Sequence, residues 1–211
     1  MKRLILLMIT CYCLLPGHAN TDIASDSLLQ VLQTLPHDTT RLSTLNDIIK
    51  IEQNNYKCIQ YSDTLMQEAL KLKNDKYASL AAYYHLLYYY NRSEQDSVAK
   101  WIVRMEPYVQ RSGLWDYFFD AQRFQIDLYT FTEQYELAIS EANKMKQKAL
   151  NTNSNRGTVA AYQCLSNAYI GSQRWDEGLK ALEEAYRLLP KKGNAVVHIS
   201  VLSQLISVTK E

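Results

Sequence analysis

The sequence is poor in the two residues that most often interrupt regular structure. Its 211 residues include only 6 Gly and 4 Pro, whereas 47% are apolar. Sandwiches and doubly wound sheets need frequent turns, so few turn formers together with long helical patterns predict an all-α chain. The apolar fraction is sufficient for a buried core, either in one domain or in an extended array.

An excess of charge of either sign is also missing. The chain has 23 basic and 22 acidic side chains. Lys2 and Arg3 lie in the first nineteen residues, and without them 21 basic and 22 acidic side chains remain, a net charge of −1. Nucleic-acid-binding surfaces need clustered basic residues. We therefore expect neither a nucleic-acid partner nor a polybasic membrane surface.

The sequence has none of the common catalytic or nucleotide-binding motifs. The patterns GxxxxGK[ST], GxGxxG, GxSxG and HExxH do not occur. The histidines lie in separate segments, and no two have the spacing of metal ligands on one helix. The sequence therefore predicts a protein that is not an enzyme and that has no metal site or cofactor. The histidines are His18, His37, His85 and His198.

The first nineteen residues have the pattern of a secretory signal peptide. Lys2 and Arg3 precede an apolar run over residues 4–15, and Pro16 and Gly17 break it before a small residue, Ala19. The run is too short for a membrane anchor, which needs about 20 apolar residues. We predict cleavage after Ala19 and no membrane span in residues 20–211.

A lipoprotein signal fits this segment less well. Lipidation would use Cys11 or Cys13, but Thr10 is a poor small residue before the first of these and the apolar run would be very short. The predicted location is therefore periplasmic or secreted.

Residues 159–190 have the clearest helical pattern in the chain. Tyr162, Leu165 and Tyr169 recur at three- and four-residue spacing, which places them on one face of a helix. Residues 171–173 break the pattern, a second helix follows, and Pro190 ends it. Two such helices cannot bury their apolar faces alone, so the pair predicts similar neighbours.

This stretch resembles the tetratricopeptide repeat. The family pattern is an aromatic residue, x2-Leu-Gly-x2-Tyr, a small residue, x3, an apolar residue and a closing Pro. Here the pattern is matched by Tyr162, Leu165, Ser166, Tyr169, Gly178, Leu182, Ala185 and Pro190, with Trp175 opening the second helix. The resemblance implies a right-handed α-solenoid of antiparallel helix pairs.

Weaker patterns extend this organisation to the rest of the mature chain. We predict a helix over 21–36, four pairs (39–53 with 56–73, 76–91 with 96–111, 115–130 with 134–150, and the pair within 159–190), and a last helix over 194–209. Pro107 is expected to kink or end its helix, and residues 151–157 are expected to form a polar loop. Residues 20–211 then form one domain of four pairs with terminal helices.

The spacing of small residues supports the repeat. Cys58, Ala99, Ala138 and Gly178 recur at nearly even intervals. Their period of about 40 residues is longer than the roughly 34 residues typical of the family. Cys58 and Cys164 then belong to repeats that are not neighbours. Repeats in a solenoid contact only their neighbours, so we predict two buried thiols rather than a disulfide.

The resemblance also implies a partner site. Tetratricopeptide proteins usually bind a peptide or protein on the concave surface lined by the first helix of each pair. An ordinary solvated helical face would carry the same kinds of side chain, and acids in the groove argue against a carboxylate clamp. The implied groove residues are Asp47, Lys50, Tyr84, Tyr88, Arg92, Arg123, Asp127, Gln163 and Asn167.

Two functions follow as expectations. The first is an exported scaffold or adaptor that binds a peptide or protein partner in the groove. The alternative is an extracytoplasmic sensor that binds a glycan or small molecule, because aromatic faces stack on sugars. It would use a pocket formed by Tyr84, Tyr88 and Arg123.

Overall fold

The structure is a computed structural model that describes residues 17–52, 56–189, 199 and 201–204. Residues 1–16 of the predicted signal peptide, the predicted turn at residues 54–55 and most of the predicted last helix lie outside these residues. Every regular element in the described part of the chain is an α-helix, which confirms the all-α prediction. None of the described helices is long and apolar enough to cross a membrane.

Nine consecutive helices have defined bounds in the described residues. They are α1 (Gly17–Thr34), α2 (Thr39–Glu52), α3 (Lys57–Lys71), α4 (Asp75–Tyr90), α5 (Gln95–Ser112), α6 (Trp115–Phe131), α7 (Tyr135–Asn151), α8 (Asn155–Gly171) and α9 (Trp175–Arg187). Residue 199 and residues 201–204 are also helical. α1 begins at Gly17, earlier than the start at residue 21 that the sequence predicted.

A strict twenty-residue register governs the chain from α4 to α9. These helices begin at residues 75, 95, 115, 135, 155 and 175. One residue with a left-handed backbone lies in the turn before each of these helices. These residues follow the same spacing: Lys73, Ser93, Gly113, Glu133, Asn153 and Gln173. Successive helix pairs therefore begin at residues 75, 115 and 155, an interval that confirms the period expected from sequence.

Most of these turns are the same hydrogen-bonded motif. In the turn after α6, the N–H of Gln134 donates to the Tyr129 carbonyl at 2.8 Å and the N–H of Glu133 donates to the Thr130 carbonyl at 3.1 Å. This pair of bonds is the Schellman motif. It recurs after α3, α4, α7 and α8, and each motif leads directly into the next helix.

The register corrects one residue of the predicted repeat. Val98, not Ala99, lies midway in sequence between Cys58 and Ala138, and its side chain is fully buried whereas Ala99 is partly exposed. The predicted spacing, which was uneven at Ala99, thus becomes uniform. This repeat position holds a valine in α5, an alanine in α7 and a glycine in α9. A search for small residues alone therefore selected Ala99 in place of Val98.

The predicted polar loop is shorter than expected, and the helix that contains Pro107 does not end there. The polar loop expected over 151–157 is only three residues long, because Ser154 caps α8 by accepting a hydrogen bond from the N–H of Gly157 at 3.0 Å. α5 continues through Pro107 to Ser112. The carbonyl that Pro107 leaves without a helical bond belongs to Val103, on a side of α5 that faces solvent.

Contacts between Cα atoms group the chain into two compact units, Met1–Tyr88 and Tyr89–Glu211. In the first unit α2 packs on α1 and α3. Apolar residues of α2 and α3 contribute to its core, and a part-buried ion pair lies at the edge: the Nε–H of Arg41 donates to both carboxylate oxygens of Glu68, at 2.9 and 3.0 Å. The core residues of these two helices include Leu42, Leu45, Ile48, Ile49 and Leu65.

In the second unit each helix packs on the next from α5 to α9, and α6 also packs on α8. Consecutive packing of this kind is typical of an α-solenoid. Two glycines allow close approach between helices: a Cβ on Gly157 would lie 2.5 Å from the Phe119 ring, and one on Gly178 would lie 2.7 Å from Ile170. Gly178 is therefore a packing residue, as the sequence predicted.

Several large apolar residues are exposed rather than buried. Leu72 lies at the end of α3, and Val103 is 71% exposed on the outer side of α5. Trp175 does open α9 but remains 42% exposed. Cys58 and Cys164 are buried free thiols, as predicted.

Candidate functional site

In the first unit, the predicted groove residues fall into two groups. Asp47 and Lys50 are exposed on α2 and form a local ion pair at 2.9 Å, which is worth little at the surface. Tyr88 is partly exposed near the end of α4, whereas Tyr84 is buried. The hydroxyl of Tyr84 donates to the Asn46 side chain at 2.9 Å.

The position of Tyr84 bears directly on the expected glycan pocket. A ring that stacks on a sugar must present a face to solvent, but Tyr84 is only 5% exposed. Its hydroxyl is already committed to a buried hydrogen bond, so Tyr84 ties α4 to α2. By the register, Tyr84 is equivalent to the partly exposed Phe124 one pair later and to the buried Cys164 two pairs later.

In the second unit, the predicted residues come from helices that open successive pairs. Arg92 is exposed in the turn after α4, Arg123 and Asp127 lie one turn apart on α6, and Gln163 and Asn167 lie one turn apart on α8. Because α6 and α8 pack side by side, their four residues share one surface. We call Arg123, Asp127, Gln163 and Asn167 the α6–α8 face.

Asp127 is the one carboxylate among the four residues of this face, and the pKa of its side chain is strongly shifted. Burial raises the pKa of its carboxyl group from 3.8 to about 6, and the nearby Arg123 guanidinium offsets only part of this effect. No described residue forms a hydrogen bond or an ion pair with it. A partly buried carboxylate without a partner is a candidate for binding a hydrogen-bond donor from a ligand.

Arg123 is also incompletely satisfied. Its buried Nε has no hydrogen-bond acceptor among the described residues, and its closest ion-pair contact is the Asp120 carboxylate at 4.0 Å, too long for a hydrogen bond. Asp120 is held instead by Arg156 at 2.8 Å. The Arg123 guanidinium lies 5.3 Å from the centre of the Phe124 ring, which leaves its donors oriented beside an aromatic surface.

Two aromatic residues that were not among the predicted site residues border these charges. Tyr90 and Phe124 stack with ring centres 4.5 Å apart. Burial raises the pKa of the Tyr90 hydroxyl, and the Asp127 carboxylate raises it further, so Tyr90 lies close to Asp127. The buried thiol of Cys164 on α8 also has a raised pKa, first from burial and then from Asp127. Asp127 therefore lies where α6, α8 and the end of α4 meet.

The two amides of the α6–α8 face are engaged with the C-terminal part of the chain. Gln163 donates to the Gln204 side-chain oxygen at 2.9 Å, and Gln204 in turn donates to Asn167 at 3.1 Å. Val201, three residues earlier, is fully buried and packs with Val159 and Ala185. No sequence signal predicts this bridge, because amides in two distant segments are common in any chain.

Among the described residues, no group of three or more His, Cys, Asp or Glu side chains could hold a metal ion. The candidate site consists of charged, amide and aromatic side chains on α6, on α8 and at the end of α4. Comparison with known proteins finds no curated protein similar to this sequence, and no family model matches it.

Proposed function

We propose that the chain is a non-enzymatic interaction module that binds an extended peptide segment of a partner protein on the α6–α8 face. The carboxylate of Asp127 accepts a backbone or side-chain N–H from the peptide. The guanidinium of Arg123 donates to a peptide carbonyl or carboxylate. The Tyr90–Phe124 stack supplies an adjacent apolar contact.

The observation that carries this proposal is the pair of partly buried, opposite charges that do not satisfy each other. Asp127 and Arg123 lie one turn apart on α6, yet neither forms a hydrogen bond with the other. Leaving the buried Nε of Arg123 without an acceptor costs about 1–3 kcal/mol. A peptide backbone, which offers a donor and an acceptor at every residue, would satisfy both groups at once.

The test begins with peptides selected against the full chain from a random displayed library. Their affinities are then measured by fluorescence anisotropy for the wild type, Asp127→Asn and Arg123→Ala. Because each substitution removes one charged hydrogen-bonding group, we expect each to weaken binding by about tenfold or more.

Matched controls separate this site from the rest of the surface. Asp96 and Arg104 are exposed on α5, so Asp96→Asn and Arg104→Ala should leave the affinity unchanged. If the selected peptides bind all four variants as tightly as the wild type, the α6–α8 face is not the binding site. Selection that yields no binding peptide would contradict the peptide-binding function itself.

We propose further that the chain is an exported member of the tetratricopeptide class. Support comes from the even register of the helix pairs, from the residues that match the family pattern in α8 and α9, and from the basic and apolar start of the sequence. Expression in a bacterial host followed by fractionation and N-terminal sequencing tests the export. We expect a periplasmic chain that begins at Asn20; an uncut chain in the cytoplasm would contradict this proposal.

A further inference from the structure

A second, separate feature of the second unit is an open cavity between α5 and α7. Its volume is about 780 Å³, within the usual range for small-molecule sites. One wall is a stripe along α7, where Asn143, Gln147 and Asn151 recur one turn apart. Gln110 of α5 forms part of the opposite wall, and Trp115 at the start of α6 lies at the edge.

The four carboxamides of this cavity are available to a ligand. Asn143 donates its side-chain N–H to the Ile139 carbonyl at 3.0 Å, which fixes the orientation of the group. Its side-chain oxygen has no hydrogen-bond partner among the described residues. Gln110, Gln147 and Asn151 form no side-chain hydrogen bond within the described part of the chain, and all three are exposed. Each amide offers both a donor and an acceptor.

The charged residues around the cavity are already paired. Lys148 of α7 forms an ion pair with Glu106 of α5 across the cavity, and Lys144 is paired with Glu141 at 2.7 Å. These pairs leave no buried charge that demands an ionic ligand. The lining contains no aliphatic residue, and its apolar surface comes from Trp115 and from the methyl and methylene groups of the polar side chains.

Trp115 adds a rigid aromatic surface to this polar lining. Its ring stacks on Phe119 with centres 6.1 Å apart and meets Phe118 edge-on at 5.8 Å. These contacts fix the orientation of the indole, which remains partly exposed at the cavity. A fixed aromatic ring beside free carboxamides suits a ligand that has both C–H faces and many hydroxyl groups.

We propose that this cavity is a binding site for a neutral oligosaccharide. Sugar hydroxyls both donate and accept, so they match the carboxamides of Gln110, Asn143, Gln147 and Asn151, and a pyranose ring can stack on Trp115. A peptide would also bond to carboxamides, but the cavity gives its side chains neither an aliphatic pocket nor an unpaired charge. This site shares no residue with the α6–α8 face, so the two proposals can be tested separately.

The test is a two-dimensional NMR titration of the full chain, labelled with ¹⁵N, against five neutral hexasaccharides: cello-, malto-, manno-, xylo- and chitohexaose. We expect at least one to shift the indole N–H of Trp115 and the side-chain amides of Asn143 and Gln147. Gln147→Ala and Trp115→Ala should each weaken binding by about fivefold or more. Gln147 is exposed, so its variant remains informative if Trp115→Ala fails to fold.

Controls distinguish this site from the proposed peptide site and from a peptide in the same cavity. Asp127→Asn should bind the sugar as tightly as the wild type. The proposal is overturned if none of the five sugars shifts these resonances, or if sugar binding is unchanged in Gln147→Ala. It is also overturned if an uncharged Gly–Ser peptide shifts the same resonances more strongly than any of the sugars.

Discussion

Replacing Asp127 with asparagine is expected to stabilise the fold while it weakens the proposed binding. The carboxyl group has a pKa of about 6 in the folded chain, against 3.8 for an ordinary aspartate. Because each unit of pKa corresponds to about 1.36 kcal/mol, this difference destabilises the folded state by about 3 kcal/mol once the group is ionised. Asparagine has nearly the same shape and carries no charge, so it avoids this penalty.

The pH dependence has a definite sign. The folded state binds the proton of Asp127 more tightly than the unfolded chain does, because burial raises the pKa. The stability that this group contributes is therefore fully present below pH 3.8 and is lost as the pH rises to about 6. Above that pH, Asp127→Asn should exceed the wild type in free energy of unfolding by up to about 3 kcal/mol.

Urea denaturation of both proteins from acidic to slightly alkaline pH measures this difference directly. All three Trp residues of the chain, Trp101, Trp115 and Trp175, belong to the second unit, so their fluorescence reports on the unit that contains Asp127. Asp96→Asn is the control, and its difference from the wild type should be small throughout. The reasoning would be refuted if the difference in free energy of unfolding between Asp127→Asn and the wild type did not vary with pH. It would also be refuted if Asp127→Asn were less stable than the wild type at slightly alkaline pH.

Three other substitutions test the fold. Glu68→Gln removes the charge that pairs with the part-buried Arg41 guanidinium, so unfolding followed by circular dichroism should show a loss of about 1–3 kcal/mol. Glu133→Gly relieves a left-handed residue at φ 60° and should raise the free energy of unfolding by about 1 kcal/mol. Gly157→Ala places a Cβ 2.5 Å from the Phe119 ring, and the melting experiment should show a loss of about 1–3 kcal/mol.

Each of these substitutions has a matched control. Glu183 is exposed on α9, so Glu183→Gln should have little effect, and Glu183→Gly should destabilise by about 1 kcal/mol where Glu133→Gly stabilises. Adding Phe119→Leu to Gly157→Ala should recover part of the loss in stability, because the smaller side chain makes room for the new methyl group. Equal effects of glycine at 133 and at 183 would contradict the assigned turn geometry.

The helices were predictable from sequence because apolar spacing determines them. Most predicted bounds agree with the structure within a few residues, and the apolar residues that recur at helical spacing in α2 (Leu42, Leu45, Ile48 and Ile49) are buried. The exact register was not predictable in the same way. Four of the six left-handed turn residues are Lys, Ser, Glu or Gln, and these residue types do not indicate such a turn, whereas Gly113 and Asn153 do.

The candidate site was only partly predictable, and the reason is tertiary. A position on the groove side of α6 could be assigned to Arg123 and Asp127 from spacing alone. Whether a carboxylate there is exposed and paired, or partly buried and without a partner, depends on how closely α8 and the end of α4 approach it. The stack of Tyr90 on Phe124 and the bridge from Gln204 arise from contacts between distant segments.

The register explains why the charges of the proposed site are confined to one helix. Equivalent positions of successive pairs align Arg123 with Tyr83 and Gln163, and Asp127 with Leu87 and Asn167. The same two positions are therefore apolar or aromatic on α4, charged on α6 and amides on α8. Packing does not determine the residue type at these two positions. The buried residues lie one position later in the sequence: Tyr84 and Cys164 for the first position, Leu128 and Ala168 for the second. A repeat that keeps its packing rows can vary this pair freely, so the identity of a partner should depend chiefly on the charged pair of α6.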